Sequence, residues 1–128
     1  MSKNLNGKLR PVIKYSDGNK YWYLNGERHR IDGPAVECAD GTKIWWLNGE
    51  RHRTDGPAVE YANGIKIWWL NGERHRIDGP AVEYTDGYKE WWLNNKEYTE
   101  EEWKEKIKTK YIDNIFNSIK NDLKEFDI

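Results

Sequence analysis

The chain is poor in the residues that usually build disulfide frameworks and membrane spans. Its 128 residues contain one cysteine, one methionine and two phenylalanines. The single cysteine, Cys38, excludes an intramolecular disulfide framework and fits the reducing environment of the cytoplasm. No apolar run approaches the roughly 18 residues that a membrane span needs, and the N-terminal MSKNLNGKLR lacks the apolar stretch of a secretion signal. We therefore expect a cytoplasmic protein with no membrane partner.

An excess of charge of one sign is lacking as well. The 21 Lys and Arg residues nearly balance the 22 Asp and Glu residues, so the formal net charge is −1. This balance gives no overall attraction to nucleic acid or anionic membranes, and such binding would need a local patch. Large aromatics are abundant instead, with eight Trp and eight Tyr. That much tryptophan argues against disorder and for a folded domain.

An internal repeat of 23 residues dominates the chain. The predicted units are a degenerate N-terminal cap at 4–20, full repeats at 21–43, 44–66 and 67–89, and a partial copy at 90–98. The cap lacks the Glu-Arg-His-Arg stretch of the full copies, and degenerate ends are typical of stacked arrays. The pattern divides the chain into a β-repeat region, 1–98, and a helical segment, 99–128.

Each unit contains two stretches with the composition of β-strands. In the second repeat they are TKIWWL at 42–47 and PAVEY at 57–61. Each stretch ends at an Asn-Gly or Asp-Gly pair, which favours a tight turn because these residues tolerate positive φ. A longer corner at 50–57 separates the two strands. We predict a mainly β fold, a single-layer antiparallel meander that gains one hairpin per repeat and is followed by a C-terminal amphipathic α-helix.

Two rows of aromatic side chains follow from alternation along the first strand of each unit. The predicted rows are Trp22, Trp45, Trp68 and Trp91 on one face, and Tyr23, Trp46, Trp69 and Trp92 on the other. A single layer buries little surface, so cross-strand aromatic contacts are expected to provide most of the stability. The rows are interpreted as packing positions, with an exposed recognition face as the alternative.

The repeat resembles a known family at specific positions. Residues 48–52 (NGERH), residues 61–64 (YANG) and the following Trp pair are similar to the MORN repeat, and the resemblance covers about residues 4–98. Arg30, Arg53 and Arg76 stand where that family usually has Gly, which resembles a divergent subgroup associated with phages and bacteria. The resemblance implies a rigid β-hairpin ribbon that serves as a binding platform, and it transfers no ligand.

The segment after Tyr98 changes to a helical period. Thr99 and Glu102 form a capping-box pattern. An apolar stripe then recurs every four residues at Trp103, Ile107, Tyr111, Ile115, Ile119 and Leu123, joined by Ile112, Phe116 and Phe126. This predicts an amphipathic helix, or a broken pair of helices, of about 25 residues. The stripe either folds back over the end of the Trp sheet or binds a partner, for which the candidate residues are Trp103, Ile107, Tyr111, Ile115 and Ile119.

The Arg-His-Arg triplets are the candidate binding residues of the repeats. They are Arg28, His29, Arg30, Arg51, His52, Arg53, Arg74, His75 and Arg76. If the triplets are part of the structural framework, Arg30 would pair with Asp32 or Glu27, and the aliphatic parts of the arginine side chains would lie on Trp rings. As a ligand site, the arginine forks would hold a nucleotide or another small anion between stacked aromatics. The repetition permits both interpretations.

Catalytic, metal and cofactor sites are not indicated. Equivalent histidines lie roughly 10 Å apart in such an array, whereas zinc ligands lie about 2 Å from the metal. A mixed site of His52 and Asp55 is not required by the spacing. Cys38 stands where other copies have Tyr61 and Tyr84, so it is interpreted as a packing position. We predict no enzymatic activity, no metal and no cofactor.

The predicted function is therefore binding. The main hypothesis is a phage or bacterial accessory protein that binds and blocks another protein, for example a defence-system component or a toxin, through its repeat face, its helix or both. One alternative is sequestration of a nucleotide or small anion by the Arg-His-Arg loops. The other is a structural scaffold that self-associates, for example as a homodimer through the C-terminal helix.

Overall fold

The computed structural model of the chain describes residues 11–125, which form a β-hairpin meander followed by one helix. The predicted fold class is thus confirmed. Residues 4–10 of the predicted N-terminal cap and Phe126 lie outside the described residues. The elements are β1 Val12–Ser16, β2 Asn19–Leu24, β3 Glu27–Arg28, β4 Val36–Glu37, β5 Lys43–Ile44, β6 Trp46–Leu47, β7 Glu50–Arg51, β8 Val59–Glu60, β9 Lys66–Ile67, β10 Trp69–Leu70, β11 Glu73–Arg74, β12 Val82–Glu83, β13 Lys89–Leu93, β14 Lys96–Tyr98 and α1 Glu100–Glu125.

The strands form one long antiparallel sheet with small hairpins beside it. The main sheet runs in the order β1-β2-β4-β5-β8-β9-β12-β13-β14, and β3 pairs with β2. The pairs β6–β7 and β10–β11 form separate two-stranded hairpins. Each internal repeat therefore contributes four short strands, where the sequence pattern predicted two.

The predicted continuous strand 42–47 is wrong in one respect, because the chain changes partner at Trp45. Ile44 still pairs with Val59 of the main sheet. The Trp45 N–H donates to the Ala58 carbonyl at 2.7 Å, while the Trp45 carbonyl accepts from His52 N–H at 3.1 Å. The next two residues then pair with β7. Residues 42–47 thus take part in two different strand pairings, with β8 and with β7. The alternation of side chains along this stretch does not predict that division.

The Asn-Gly pairs form the predicted tight turns. Asn48 has φ of 49° and the following Gly49 has φ of 77°. Two successive positive φ values are the requirement of the type I′ turn, which matches the right-handed twist of the flanking strands. In the partial copy Asn95 replaces the glycine and still adopts φ of 68°. The turn chemistry therefore fixes the hairpin positions locally.

The core is a narrow line of small apolar side chains. The buried apolar residues of the described chain are Ala35, Val36, Ala58, Val59, Ile67, Ala81, Val82 and Trp103. Most tryptophans are only partly buried, and two of them, Trp69 and Trp92, pack against the cluster of Val59, Ile67 and Val82. Since a single layer cannot enclose bulky side chains on both faces, contacts along the sheet must supply stability that a thick core would otherwise provide.

Within the described residues, the C-terminal segment forms one unbroken helix, Glu100–Glu125, with the predicted capping box. The Glu102 N–H donates to Thr99 Oγ1, and the Thr99 N–H donates to Glu102 Oε1, each at 3.2 Å. These two hydrogen bonds hold the pKa of Glu102 below its ordinary value, and the bond from the Thr99 backbone has the larger effect. Within residues 11–125, no helix combines the length and the apolar character required to cross a bilayer.

The helix packs on the sheet through its first turns. The Trp103 indole is buried, its ring centroid lies 4.7 Å from that of Trp91, and its Nε1–H donates to the Arg76 carbonyl at 3.0 Å. Ile107 is half-buried, but the stripe is exposed from Tyr111 onward. The expectation that the stripe covers the end of the sheet therefore holds for two residues and is wrong for the rest. Steps of four residues rotate a stripe by about 40° each, which turns it away from the sheet.

Candidate binding surfaces

The third residue of each triplet lies in a framework of hydrogen bonds and aromatic stacking. Arg53 Nε donates to Asp55 Oδ1 at 2.9 Å, and its Nη1 donates to the Pro57 carbonyl at 3.0 Å and to Glu60 Oε1 at 3.2 Å. Its Cζ lies 3.8 Å from the centroid of the Trp45 ring. Arg30 and Arg76 make the same set of contacts in their own repeats. The predicted pairing of Arg30 with Asp32 is present, and its second carboxylate is Glu37 rather than Glu27.

The residues after each of these arginines complete the framework. A Cβ built on Gly56 would lie 2.9 Å from Arg53 Cζ, so glycine leaves room for the guanidinium group. The hydrogen bond and the charge of Arg53 hold the pKa of Asp55 below its ordinary value, and Arg30 does the same for Asp32. The Arg-x-Asp-Gly-Pro sequence is therefore one structural motif, in which each fixed residue has a contact.

The first residue of each triplet belongs to a ladder of alternating arginine and tryptophan. Arg51 Cζ lies 5.2 Å from the Trp46 ring centroid and 5.0 Å from that of Trp69. Arg28 and Arg74 extend the ladder on either side, and its last ring is Trp92. A guanidinium group between two indole faces gains cation–π attraction from both. This ladder explains how successive repeats adhere without a thick core.

The histidine of each triplet joins one repeat to the next. The Nδ1 atoms of His29, His52 and His75 accept the backbone N–H of Asn48, Asn71 and Asn94, each at 2.9 Å. An accepting Nδ1 must be unprotonated. Burial, helped by the charge of Lys110 and opposed by Glu73, holds the pKa of His75 below its ordinary value. The fold thus stabilises the neutral form of His75.

We expect the protein to lose stability as the pH falls through the pKa of His75. A histidine whose pKa is lowered by folding stabilises the native state above its unfolded pKa, about 6.5, and this contribution is lost as the folded pKa is passed. His75→Asn places Oδ1 near the position of Nδ1 and does not titrate. Urea unfolding between about pH 7 and pH 5 should show a shallower pH slope for this variant than for the native chain. Equal slopes would contradict the assignment.

The geometry does not gather these side chains into a metal site. Within the described part of the chain, no group of three or more His, Cys, Asp or Glu side chains is placed to hold a metal ion. Cys38 is half-buried, and burial, together with Asp40, raises the pKa of its thiol. A raised pKa keeps the thiol protonated at neutral pH, which does not suit a nucleophile.

The exposed residues of the corner motifs form a regular row, here named the loop edge. It consists of Ile31, Asp32, Thr54, Asp55, Ile77 and Asp78. Ile31 is 85% exposed and Ile77 is 57% exposed, and the three aspartates are also largely exposed. A cleft of about 560 Å³ lies between the second and third corners. The loop edge therefore presents apolar and acidic groups on corners whose backbone is held by partly buried arginines.

A second exposed surface lies on the helix. Six large apolar side chains between Tyr111 and Leu123 are 44–67% exposed, namely Tyr111, Ile112, Ile115, Phe116, Ile119 and Leu123. Of the five predicted partner residues, the structure places Tyr111, Ile115 and Ile119 on this surface. It places Trp103 and Ile107 against the repeats instead.

Sequence reasoning missed the glutamates that complete the framework. Glu37, Glu60 and Glu83 each follow their arginine by seven residues, and this constant spacing was the available signal. It also missed Glu90, which accepts from Trp92 Nε1 at 2.9 Å and lies 3.8 Å from Arg74 Nη1.

The position equivalent to Glu90 is isoleucine in the second and third repeats, Ile44 and Ile67. There the Nε1 atoms of Trp46 and Trp69 and the Nε of Arg51 are buried without a hydrogen-bond acceptor. Unpaired buried donors carry a desolvation cost. We name this part of the arginine–tryptophan ladder, formed by Trp46, Arg51 and Trp69, the inner ladder. Its three buried donors are available to an added hydrogen-bond acceptor.

Comparisons with known proteins do not assign this chain to a family. No family model matches the chain, and neither a curated protein nor a solved structure is significantly similar to it.

Proposed function

We propose that this chain is a MORN-like, non-enzymatic protein that binds and blocks another protein, with the loop edge as its contact surface. The observation that carries the proposal is the exposure of Ile31 and Ile77 on corners whose backbone is held by Arg30 and Arg76. Exposed apolar side chains on a rigid scaffold lose little conformational entropy on binding. This combination favours a protein surface over a small ligand.

The charges of the loop edge define the partner further. Each corner presents an aspartate whose side chain is about 80% exposed, although one carboxylate oxygen accepts from the neighbouring arginine. The guanidinium groups themselves are largely buried against tryptophan. A partner therefore meets acidic and apolar groups, and the complementary surface is basic with apolar contacts. A defence-system component or a toxin is the concrete form of this hypothesis.

A photo-crosslinking experiment tests this proposal. Benzoylphenylalanine placed at Ile77 should crosslink a polypeptide in lysate of the source cell, while the same group at Tyr88, exposed elsewhere on the array, should not. The double variant Ile31→Asp/Ile77→Asp should lose the partner and keep the melting temperature of the native chain. If the native chain blocks an activity of the captured protein, this variant should leave that activity intact.

Two results would contradict the proposal. Equal crosslinking from both positions would indicate non-specific contact. Retention of the partner by the double aspartate variant would place its binding surface elsewhere on the molecule.

The alternative function is sequestration of a small anion by the inner ladder. The observation in its favour is the set of unpaired donors on Trp46, Arg51 and Trp69, in a setting where Glu90 supplies a carboxylate to the last copy. Calorimetric titration with ATP and with inorganic pyrophosphate tests it. Ile67→Glu should then abolish the heat of binding, because its carboxylate would occupy the ligand position. Since Ile67 also belongs to the core, circular dichroism and the melting temperature of this variant must match those of the native chain. Absence of heat with the native chain would exclude these two anions.

A further inference from the structure

The exposed helix face has the spacing of a coiled-coil contact. Ile112, Phe116, Ile119 and Leu123 follow one another at intervals of four, three and four residues. This alternation keeps apolar side chains on one narrow strip of a helix, which is the pattern of the core positions in paired helices. All four side chains are exposed. We name these four residues the apolar seam.

The seam lies on the side of the helix that faces away from the repeats. The array side is defined by Trp103, which packs on Trp91, and by Ile107 and Lys110, which line a cavity with repeat residues. At about 100° per residue, Trp103 lies roughly 180° around the helix from Ile112 and about 13 Å from it along the axis. The repeats of the same chain therefore cannot cover the seam while Trp103 stays in place.

The charges beside the seam complement each other when two such helices run antiparallel. With Ile112 opposite Leu123 of a second copy, Asp113 falls beside Lys120 of that copy. This pair occurs twice by symmetry. A parallel pair brings Lys108 near Asp113, which is an equal number of opposite-charge pairs, but its helix dipoles repel each other. Antiparallel helix dipoles also attract each other.

We propose that α1 pairs antiparallel with the α1 of a second copy of this chain through the apolar seam. The seam spans about 17 Å of helix, so the buried surface is at the low end for specific interfaces. We expect a dissociation constant of about 1–100 µM. The pairing places the two repeat arrays at opposite ends, which presents two loop edges and raises avidity for a multivalent partner.

Sedimentation equilibrium of the full chain between about 1 and 500 µM tests the pairing. Ile119→Asp should raise the dissociation constant by roughly a hundredfold or more, because two carboxylates would enter the apolar contact. Asn117→Asp is the matched control, because Asn117 is exposed on the side of the helix opposite the apolar seam. This variant should leave the dissociation constant unchanged. Circular dichroism of both variants confirms that the helix is retained.

A charge exchange tests the predicted neighbours. Asp113→Lys alone should weaken the dimer roughly threefold to tenfold, and adding Lys120→Asp should restore it. Failure of the second change to restore pairing would overturn the assigned contact.

Disulfide trapping tests the orientation. In a Cys38→Ser background, chains with Ile112→Cys mixed with chains with Leu123→Cys should form a crosslinked heterodimer, while each variant alone should not. Self-crosslinking of each variant would indicate a parallel pair and overturn the proposed arrangement.

A monomer at the highest concentration would overturn the proposal. If that monomer also sedimented with vesicles of anionic phospholipid, and Ile119→Asp prevented this, the seam would be assigned to a membrane surface instead.

Discussion

Replacing Arg53 by alanine should lower the free energy of unfolding by about 2–4 kcal/mol. The substitution removes a guanidinium group that stacks on Trp45 and leaves the Pro57 carbonyl and the Glu60 carboxylate without their donor. Urea unfolding followed by tryptophan fluorescence measures the loss. The unfolding midpoint should fall while the m-value stays the same, because the same surface becomes exposed.

Two variants separate the contributions at this corner. Arg53→Lys keeps the charge but loses the planar fork, so it should recover only part of the stability. Asp55→Ala should cost less than Arg53→Ala, because its side chain is 82% exposed and the arginine retains its other partners. An Arg53→Ala variant with unchanged stability that no longer binds a nucleotide would contradict the framework role and favour anion binding.

Replacing Trp103 by alanine should have the largest effect, about 3–5 kcal/mol. It removes the ring that packs on Trp91 and the donor to the Arg76 carbonyl, which together hold the helix on the last repeat. Most of the stability of a protein helix comes from its tertiary packing rather than from the intrinsic propensity of its residues. We therefore expect the helical signal at 222 nm to be lost before the tryptophan fluorescence changes, whereas the native chain should unfold in one step.

Conservative and distant substitutions provide the controls for this result. Trp103→Phe keeps the ring contact and loses the hydrogen bond, so it should cost about 1 kcal/mol. Asn117→Ala, on the exposed polar side of the helix, should leave the transition unchanged. Coincident transitions in Trp103→Ala would contradict the assignment of Trp103 as the main attachment of the helix.

The predictions that succeeded were those governed by neighbouring residues. Asn48 and Gly49 formed the expected turn because the required positive φ is a property of these residue types. Thr99 and Glu102 formed the expected cap because both partners lie within one turn. The triplets could be located but not interpreted, since their contacts with Glu60 and Asn71 span 7 and 19 residues.

The sequence by itself determined the period of the repeat, the position of its turns and the start of the helix. These features depend on local backbone preferences and on side-chain spacing within a few residues. Only the tertiary structure decided that Trp45 changes ladder, that Glu90 completes the last arginine–tryptophan contact, and that Trp103 attaches the helix while Ile119 remains exposed. Each of these depends on which distant segment lies alongside, and that choice is set by the packing of the whole array.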